Sequence, residues 1–255
     1  MLELGLVLSG LFIATTSMAV GIGGGILWTP LLIFAYGLTP QEAITTSLLI
    51  QVVGMGSGSV AYYRAGLVKT RLSLLFFLVA LPGVIIGSFI TVNLPQETVQ
   101  MALGIMSMTL AILFVTSQED IQEDIIDTTS QNYIKEKIAP ILPIPAFFGF
   151  IHGSLSLGIG EWLIPALRNR LKLDMTTSIA TVIPMMFLLA LVASLIHYFV
   201  ADTIHMKYFA WGAAGTLIGG QIGAHISRRI NERILKQSFI YLMTLTGIHL
   251  IFQAI

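Results

Sequence analysis

The chain has 255 residues, of which 55% are hydrophobic and 10% charged, with a mean hydropathy of +0.87. Soluble domains carry about 25% charged residues, so a water-soluble globule is excluded and an integral membrane protein in contact with the lipid bilayer is expected. Lys and Arg together balance Asp and Glu, and cysteine is absent; no nucleic-acid partner is indicated, and disulfides and thiolate metal sites are excluded.

Met1-Leu2-Glu3 lacks the basic region and cleavage site of a signal peptide, so none is expected. The first apolar stretch, 4–36, is interrupted by Gly21, Gly23, Gly24 and Gly25, with Pro30 following. Gly costs about 1 kcal/mol in a helix interior and Pro about 3, so this cluster predicts a helix broken at membrane depth. Such backbone is tolerated there only when buried in protein or lining a polar cavity, and transporters hold cargo at broken helices. Thr39-Pro40-Gln41-Glu42 is a capping box with Pro at the first helical position. It opens a segment over 43–63 that carries Thr45, Thr46, Ser47 and Gln51. Segments over 72–94 and 98–117 follow, then a polar stretch with Glu119, Asp120, Glu123, Asp124, Asp127 and Glu136, expected to be an acidic cytoplasmic linker.

Beyond the linker, apolar segments lie at 138–167 (again broken), 176–200, 208–227 and 234–253. At a spacing of 135 residues Gly25 matches Gly160, Pro30 matches Pro165, and Ile44, Thr46, Ser59 and Tyr63 match Ile179, Thr181, Ser194 and Tyr198. Asp174, a good N-cap, answers the Thr39 box. One residue out of register, Gly83 and Gly87 match Gly219 and Gly223. The chain therefore reads as a duplication: first repeat 1–117, linker 118–137, second repeat 138–255. Cytoplasmic loops are enriched in Lys and Arg. The basic loop of the first half is its second (Arg64, Lys69, Arg71); those of the second half are its first (Arg168, Arg170, Lys172) and third (Arg228, Arg229, Arg233, Lys236). That inversion requires each repeat to cross an odd number of times. The expected fold is all-α transmembrane, with two inverted repeats, each a broken re-entrant helical segment plus three spanning helices, both termini outside and the linker inside. Eight simple spans in parallel repeats are the alternative.

The second break reads Gly158-Ile159-Gly160-Glu161-Trp162, with Pro165 beyond. Glu161 is an intramembrane carboxylate, and such a group is a functional candidate by default. It is read as a proton carrier, or as a buried partner of His152 or of a backbone amide. His152, in the preceding arm, is the second proton-coupling candidate; His197 ends a span and is expected at the interface. No Lys or Arg lies in the middle of an apolar segment. If the cargo is an anion, backbone amides and helix N-termini at the two breaks must meet its charge, with hydroxyls of Thr45, Thr46, Ser47, Thr177, Ser178 and Thr181 as further donors. The Gly215, Gly219, Gly223 ladder reads as helix packing. No P-loop, HExxH or nucleophile elbow occurs, so neither an enzyme, a cofactor nor a metal site is expected.

The glycine cluster ending in Pro30, its second copy after the linker, the Ala43 to Ser47 helix start, the Tyr63 to Gly66 span end and the glycine-rich third span together resemble the TauE/SafE sulfite exporter family over the whole chain. Glu161 and Trp162 stand where that family tends to continue with glycines, and His152 replaces a usual small residue. The resemblance implies a multi-pass carrier in a bacterial or archaeal plasma membrane. Its cargo would be a small sulfur-containing anion such as sulfite, sulfoacetate or another organosulfonate, often moved outward. The expected reading is a secondary transporter working by alternating access; an anion channel is the alternative. The expected substrate-binding residues are Gly21, Gly23, Gly24, Gly25, Pro30, Thr46, Ser47, Gln51, Gly158, Gly160, Glu161, Trp162, Pro165 and Thr181. A homodimer is compatible with this reading.

Overall fold

The computed structural model describes residues 2–116, 134–157, 159–201 and 204–227, with Thr244, Ile248 and Phe252 as single helical positions. The first half supplies α1 (Leu2–Val20), α2 (Gly25–Tyr36), α3 (Pro40–Arg64), α4 (Thr70–Asn93) and α5 (Gln96–Thr116). After short helical turns at Ile134–Ile138 and Ala139–Ile141 come α6 (Pro143–Leu155), α7 (Ile159–Leu171), α8 (Met175–Ala201) and α9 (Met206–Ile226). Among the described residues every regular element is helical. Most of the expected linker, together with Arg228, Arg229, Arg233, Lys236 and Gly158, lies outside the described residues. The linker's last residues, from Ile134, are helical.

The glycine cluster breaks the first helix where expected. α1 stops at Val20, Gly21 turns left-handed (φ +80°), and the amides of Gly21 and Ile22 both donate to the Ser17 carbonyl, at 2.8 and 3.1 Å. A left-handed turn is a glycine's natural place. The chain then doubles back: a Cβ on Gly5 would stand 3.4 Å from the Tyr36 hydroxyl, while one on Gly24 would stand 3.8 Å from Ile13. The prolines do not make the breaks. Pro30 and Pro165 sit inside α2 and α7, because each returning helix resumes earlier, at Gly25 and Ile159. In the second half α6 ends at Ser156, also left-handed (φ 63°), whose amide donates to the His152 carbonyl at 2.9 Å. There α7 folds back along α6, with Trp162 stacked on Phe148 at 4.7 Å between ring centroids.

The caps hold the next helices. Thr39 and Glu42 exchange both hydrogen bonds of a capping box, and Asp174 accepts from the Thr177 amide at 2.9 Å. Among the described residues, five helical stretches are long and apolar enough to cross a bilayer: Glu3–Val20, Pro40–Arg64, Thr70–Asn93, Glu136–Leu155 and Met175–Val200. The descending arms of both broken segments are thus of spanning length, and α1 runs almost the whole depth of α3, since Tyr62 near the end of α3 donates to the Met18 carbonyl at 2.5 Å. The returning arms are short, with 12 residues in α2 and 13 in α7.

Each half lends its first helix to the other: α1 packs along α9, and α6 along α4. Small residues allow the backbones to touch. A Cβ on Gly215, Gly219 or Gly223 would fall 2.0, 2.5 or 2.4 Å from the carbonyl oxygens of Val7, Leu11 and Thr15. On the other side, a Cβ on Gly87, Gly149 or Gly153 would meet the carbonyl oxygens of Phe150, Ala80 and Val84 at 2.2, 2.4 and 2.2 Å. The glycine ladder is therefore packing, as its spacing indicates. Large apolar side chains face outward along the helices, Leu4, Leu8 and Phe12 on α1 and Leu74, Leu78 and Phe89 on α4 among them, a surface suited to lipid.

Polar contacts fix the two ends of the molecule. At one end Lys207 lies 3.6 Å from Glu3, His205 3.0 Å from Glu42, and Gln41 donates to the Leu94 carbonyl at 3.0 Å. At the opposite end the Lys69 amide donates to Thr181 Oγ1 at 3.2 Å. The first two contacts tie the starts of α1 and α3 to the start of α9, the third ties the start of α3 to the end of α4, and the last ties the loop between α3 and α4 to the start of α8.

Candidate functional site: the crossing of two broken helices

The two breaks meet. A Cβ on Gly25, the first residue of α2, would lie 2.0 Å from the Ser156 carbonyl oxygen. A Cβ on Gly160, in the first turn of α7, would lie 2.4 Å from the Gly21 carbonyl oxygen. Gly25 and Gly160 are 135 residues apart in sequence, and so are Gly21 and Ser156. Each returning helix thus starts against the left-handed residue of the other break, and only glycine permits that approach.

Glu161 enters this crossing from the first turn of α7. It is 2% exposed, and its Oε1 accepts from the Gly23 amide at 3.2 Å. Of the roles read for it from sequence, the backbone-amide partner is the one observed. The amides of Gly24 and Gly25, next along the start of α2, donate to nothing among the described residues. Gln51, midway along α3, closes the other side: its Nε2 donates to Ser156 Oγ at 2.5 Å and to Ser47 Oγ at 3.2 Å. Among the described residues no Lys or Arg is buried, so the positive potential here is that of amides and helix ends.

Of the residues expected from sequence, the structure brings together Gly21, Gly23, Gly25, Ser47, Gln51, Gly160 and Glu161, with Gly24 at the rim. It does not bring in the others. Thr46 and Thr181 accept from loop amides instead, His205 N at 3.3 Å and Lys69 N at 3.2 Å, at opposite ends of the molecule. Trp162 stacks away on Phe148, and Pro30 and Pro165 lie inside the returning helices. Gly158 lies outside the described residues.

The histidines also separate. His152 is completely buried, and neither ring nitrogen has a hydrogen-bond partner among the described residues; it is not bonded to Glu161. His197 is not at an interface: it is 1% exposed, because α3 and α6 cover the last turns of α8. Its Nε2 donates to the Gly153 carbonyl at 3.0 Å, and Nδ1 lies 3.3 Å from Thr45 Oγ1.

Two site residues escaped the sequence reading, Ser156 and Ser17. Ser17 occupies the position of His152 in the first half; its Oγ is buried with no partner among the described residues and lines a small cavity with Gly24, Gln51 and Thr216. The 135-residue spacing that pairs the glycines also pairs Gly21 with Ser156 and Ser17 with His152, and that was the available signal.

A chain whose described elements are all helical, with several bilayer-length apolar helices, broken helices crossing in its interior and an apolar outer surface, is a multi-pass membrane protein of the transporter class. The profile described as Sulfite exporter TauE/SafE matches residues 6–250, and the chain belongs to that family. It is similar to the Probable membrane transporter protein YunE of Bacillus subtilis (strain 168), 25% identical over 98% of this chain and 97% of that protein. The Probable membrane transporter protein YjnA of the same organism is 24% identical over 98% of this chain and 100% of its own. A Probable membrane transporter protein of Xylella fastidiosa (strain Temecula1 / ATCC 700964) is 24% identical over 92% of this chain and 89% of its own. No solved structure matches the chain.

Proposed function

We propose that the protein is a secondary transporter that exports a small sulfur-containing anion, such as sulfite or an organosulfonate, by alternating access. The observation that carries this reading is the reciprocal crossing of Gly25 on Ser156 and Gly160 on Gly21. It gathers broken backbone and helix starts in the interior, where an anion can be met by amides without a buried cation. The family supplies the sulfur-containing substrate class. The repeats are 1–117 and 138–255, inverted with respect to each other. The end contacts support the inversion: the start of α3 (Glu42, Thr46) meets His205 at one end, whereas the start of α8 (Thr181, the counterpart of Thr46) meets Lys69 past the other end of α3. Arg64, Lys69, Arg168 and Lys172 then mark the cytoplasmic end.

Counterflow tests it. Liposomes containing the protein and preloaded with unlabelled sulfite are expected to take up labelled sulfite faster than empty ones. Uptake that follows only the electrical gradient and ignores preloading would make the protein a channel.

A further inference from the structure

We infer that the Glu161 carboxylate is the site's own anion: it occupies the amide seat at the start of α2 that the transported anion takes, and each binding event displaces it. This rests on the transport reading above and assigns a competitor to the same site. The Gly23, Gly24 and Gly25 amides precede or open α2, where unpaired N–H groups and the helix dipole favour negative charge. In the structure the seat is already used, since Gly23 N–H donates to Glu161 Oε1 at 3.2 Å in the buried interior. With no buried Lys or Arg among the described residues, a second negative charge in the seat meets the first in a poorly screened medium, where like charges repel strongly. Substrate and carboxylate therefore exclude one another.

Gln51 fits the same exchange. Its Oε1 and Glu161 Oε1 each lie 3.7 Å from where a Cβ on Gly23 would stand, so both point into the space over that residue, and Gln51 Oε1 has no partner among the described residues. A half-turn of the amide gives the hydroxyls of Ser47 and Ser156 an oxygen to donate to and turns the NH₂ group toward the seat. With Glu161 withdrawn, that group becomes a second donor for an oxyanion.

The test uses protein carrying ¹⁵N-glycine, with the Gly23 amide resonance identified by its loss in Gly23→Ala; that methyl would crowd the terminal methyl of Met186 at 3.0 Å and make ordinary contacts with Gln51 Oε1 and Glu161 Oε1 at 3.7 Å. Sulfite and formate are titrated into wild type, Glu161→Ala and Glu161→Gln. Both anions are expected to shift the Gly23 resonance, with apparent affinity on the order of tenfold tighter in the variants, because Glu161→Ala removes the tethered competitor and Glu161→Gln leaves only a neutral, weaker acceptor in its place. Glu161→Gln keeps the shape, so it reports even where Glu161→Ala misfolds. Variants that bind no more tightly than wild type, or a Gly23 resonance unmoved by either anion, overturn the proposal. The two readings fail separately. Working sulfite counterflow with unchanged variant affinities sinks only the displacement, whereas a Gly23 response to formate without counterflow of any sulfur anion sinks only the transport reading.

Discussion

At Gly25 and Gly160 there is no room for a methyl group, because the nearest atoms are main-chain carbonyl oxygens at 2.0 and 2.4 Å. Gly25→Ala and Gly160→Ala are each expected to lower sulfite counterflow by roughly a hundredfold, the scale of a small misplacement at a reacting or binding centre, with the protein still present in the membrane. Gly24 differs: a methyl there would make ordinary contacts at 3.4–3.8 Å, so Gly24→Ala should transport at near wild-type rate. Equal damage at Gly24 and Gly25 would mean that the cluster is needed only for folding. The cluster was legible because glycines in an apolar run conflict with helix propensity. Which glycine makes the closest approach was not, since that depends on a carbonyl from the other half of the chain. Ser156 was hidden for a related reason. A serine in the left-handed region costs about 1 kcal/mol or more, and nothing in its neighbours announces that it stands in for a glycine.

Among the elements, the apolar runs placed the helices to within a few residues: 43–63 against Pro40–Arg64, 72–94 against Thr70–Asn93, 176–200 against Met175–Ala201. The caps at Thr39 and Asp174 made the starts readable. The exchange of α1 and α6 between halves was not readable, because a small-residue ladder says that a helix packs closely without saying on what. Overpacking a close-packed contact typically costs 1–3 kcal/mol, and the Gly215 contact is with backbone. Gly215→Val is therefore expected to destabilise the purified protein by about 2 kcal/mol or more, seen as a lower midpoint of thermal aggregation. Leu217→Ala, on a side chain 54% exposed on the outward face of the same helix, should leave the midpoint nearly unchanged.

For the whole molecule, the absence of cysteine allows single cysteines to report sidedness. Asn93 is exposed at the end that carries Glu3 and Glu42, and Asn169 is exposed beside Arg168 and Arg170. A cysteine at Asn93 is expected to react with a membrane-impermeant maleimide in intact cells, and one at Asn169 only after lysis. Labelling of both from outside would overturn the inverted arrangement. The charge asymmetry of the loops is what suggests this topology in the sequence, and the labelling pattern decides it.

The lending of α1 to α9 also has a consequence in time. Val7 leaves the ribosome 208 residues before its partner Gly215, a delay of roughly 10–40 s at ordinary synthesis rates of 5–20 residues per second. α6 waits for nothing, because α4 is already in the membrane when α6 arrives. The two exchanged helices, α1 and α6, are therefore unequal during the making of the molecule. Until Gly215 arrives, the face of α1 that carries Val7, Leu11 and Thr15 is uncovered and insertion machinery or lipid must shelter it, while α6 docks on arrival.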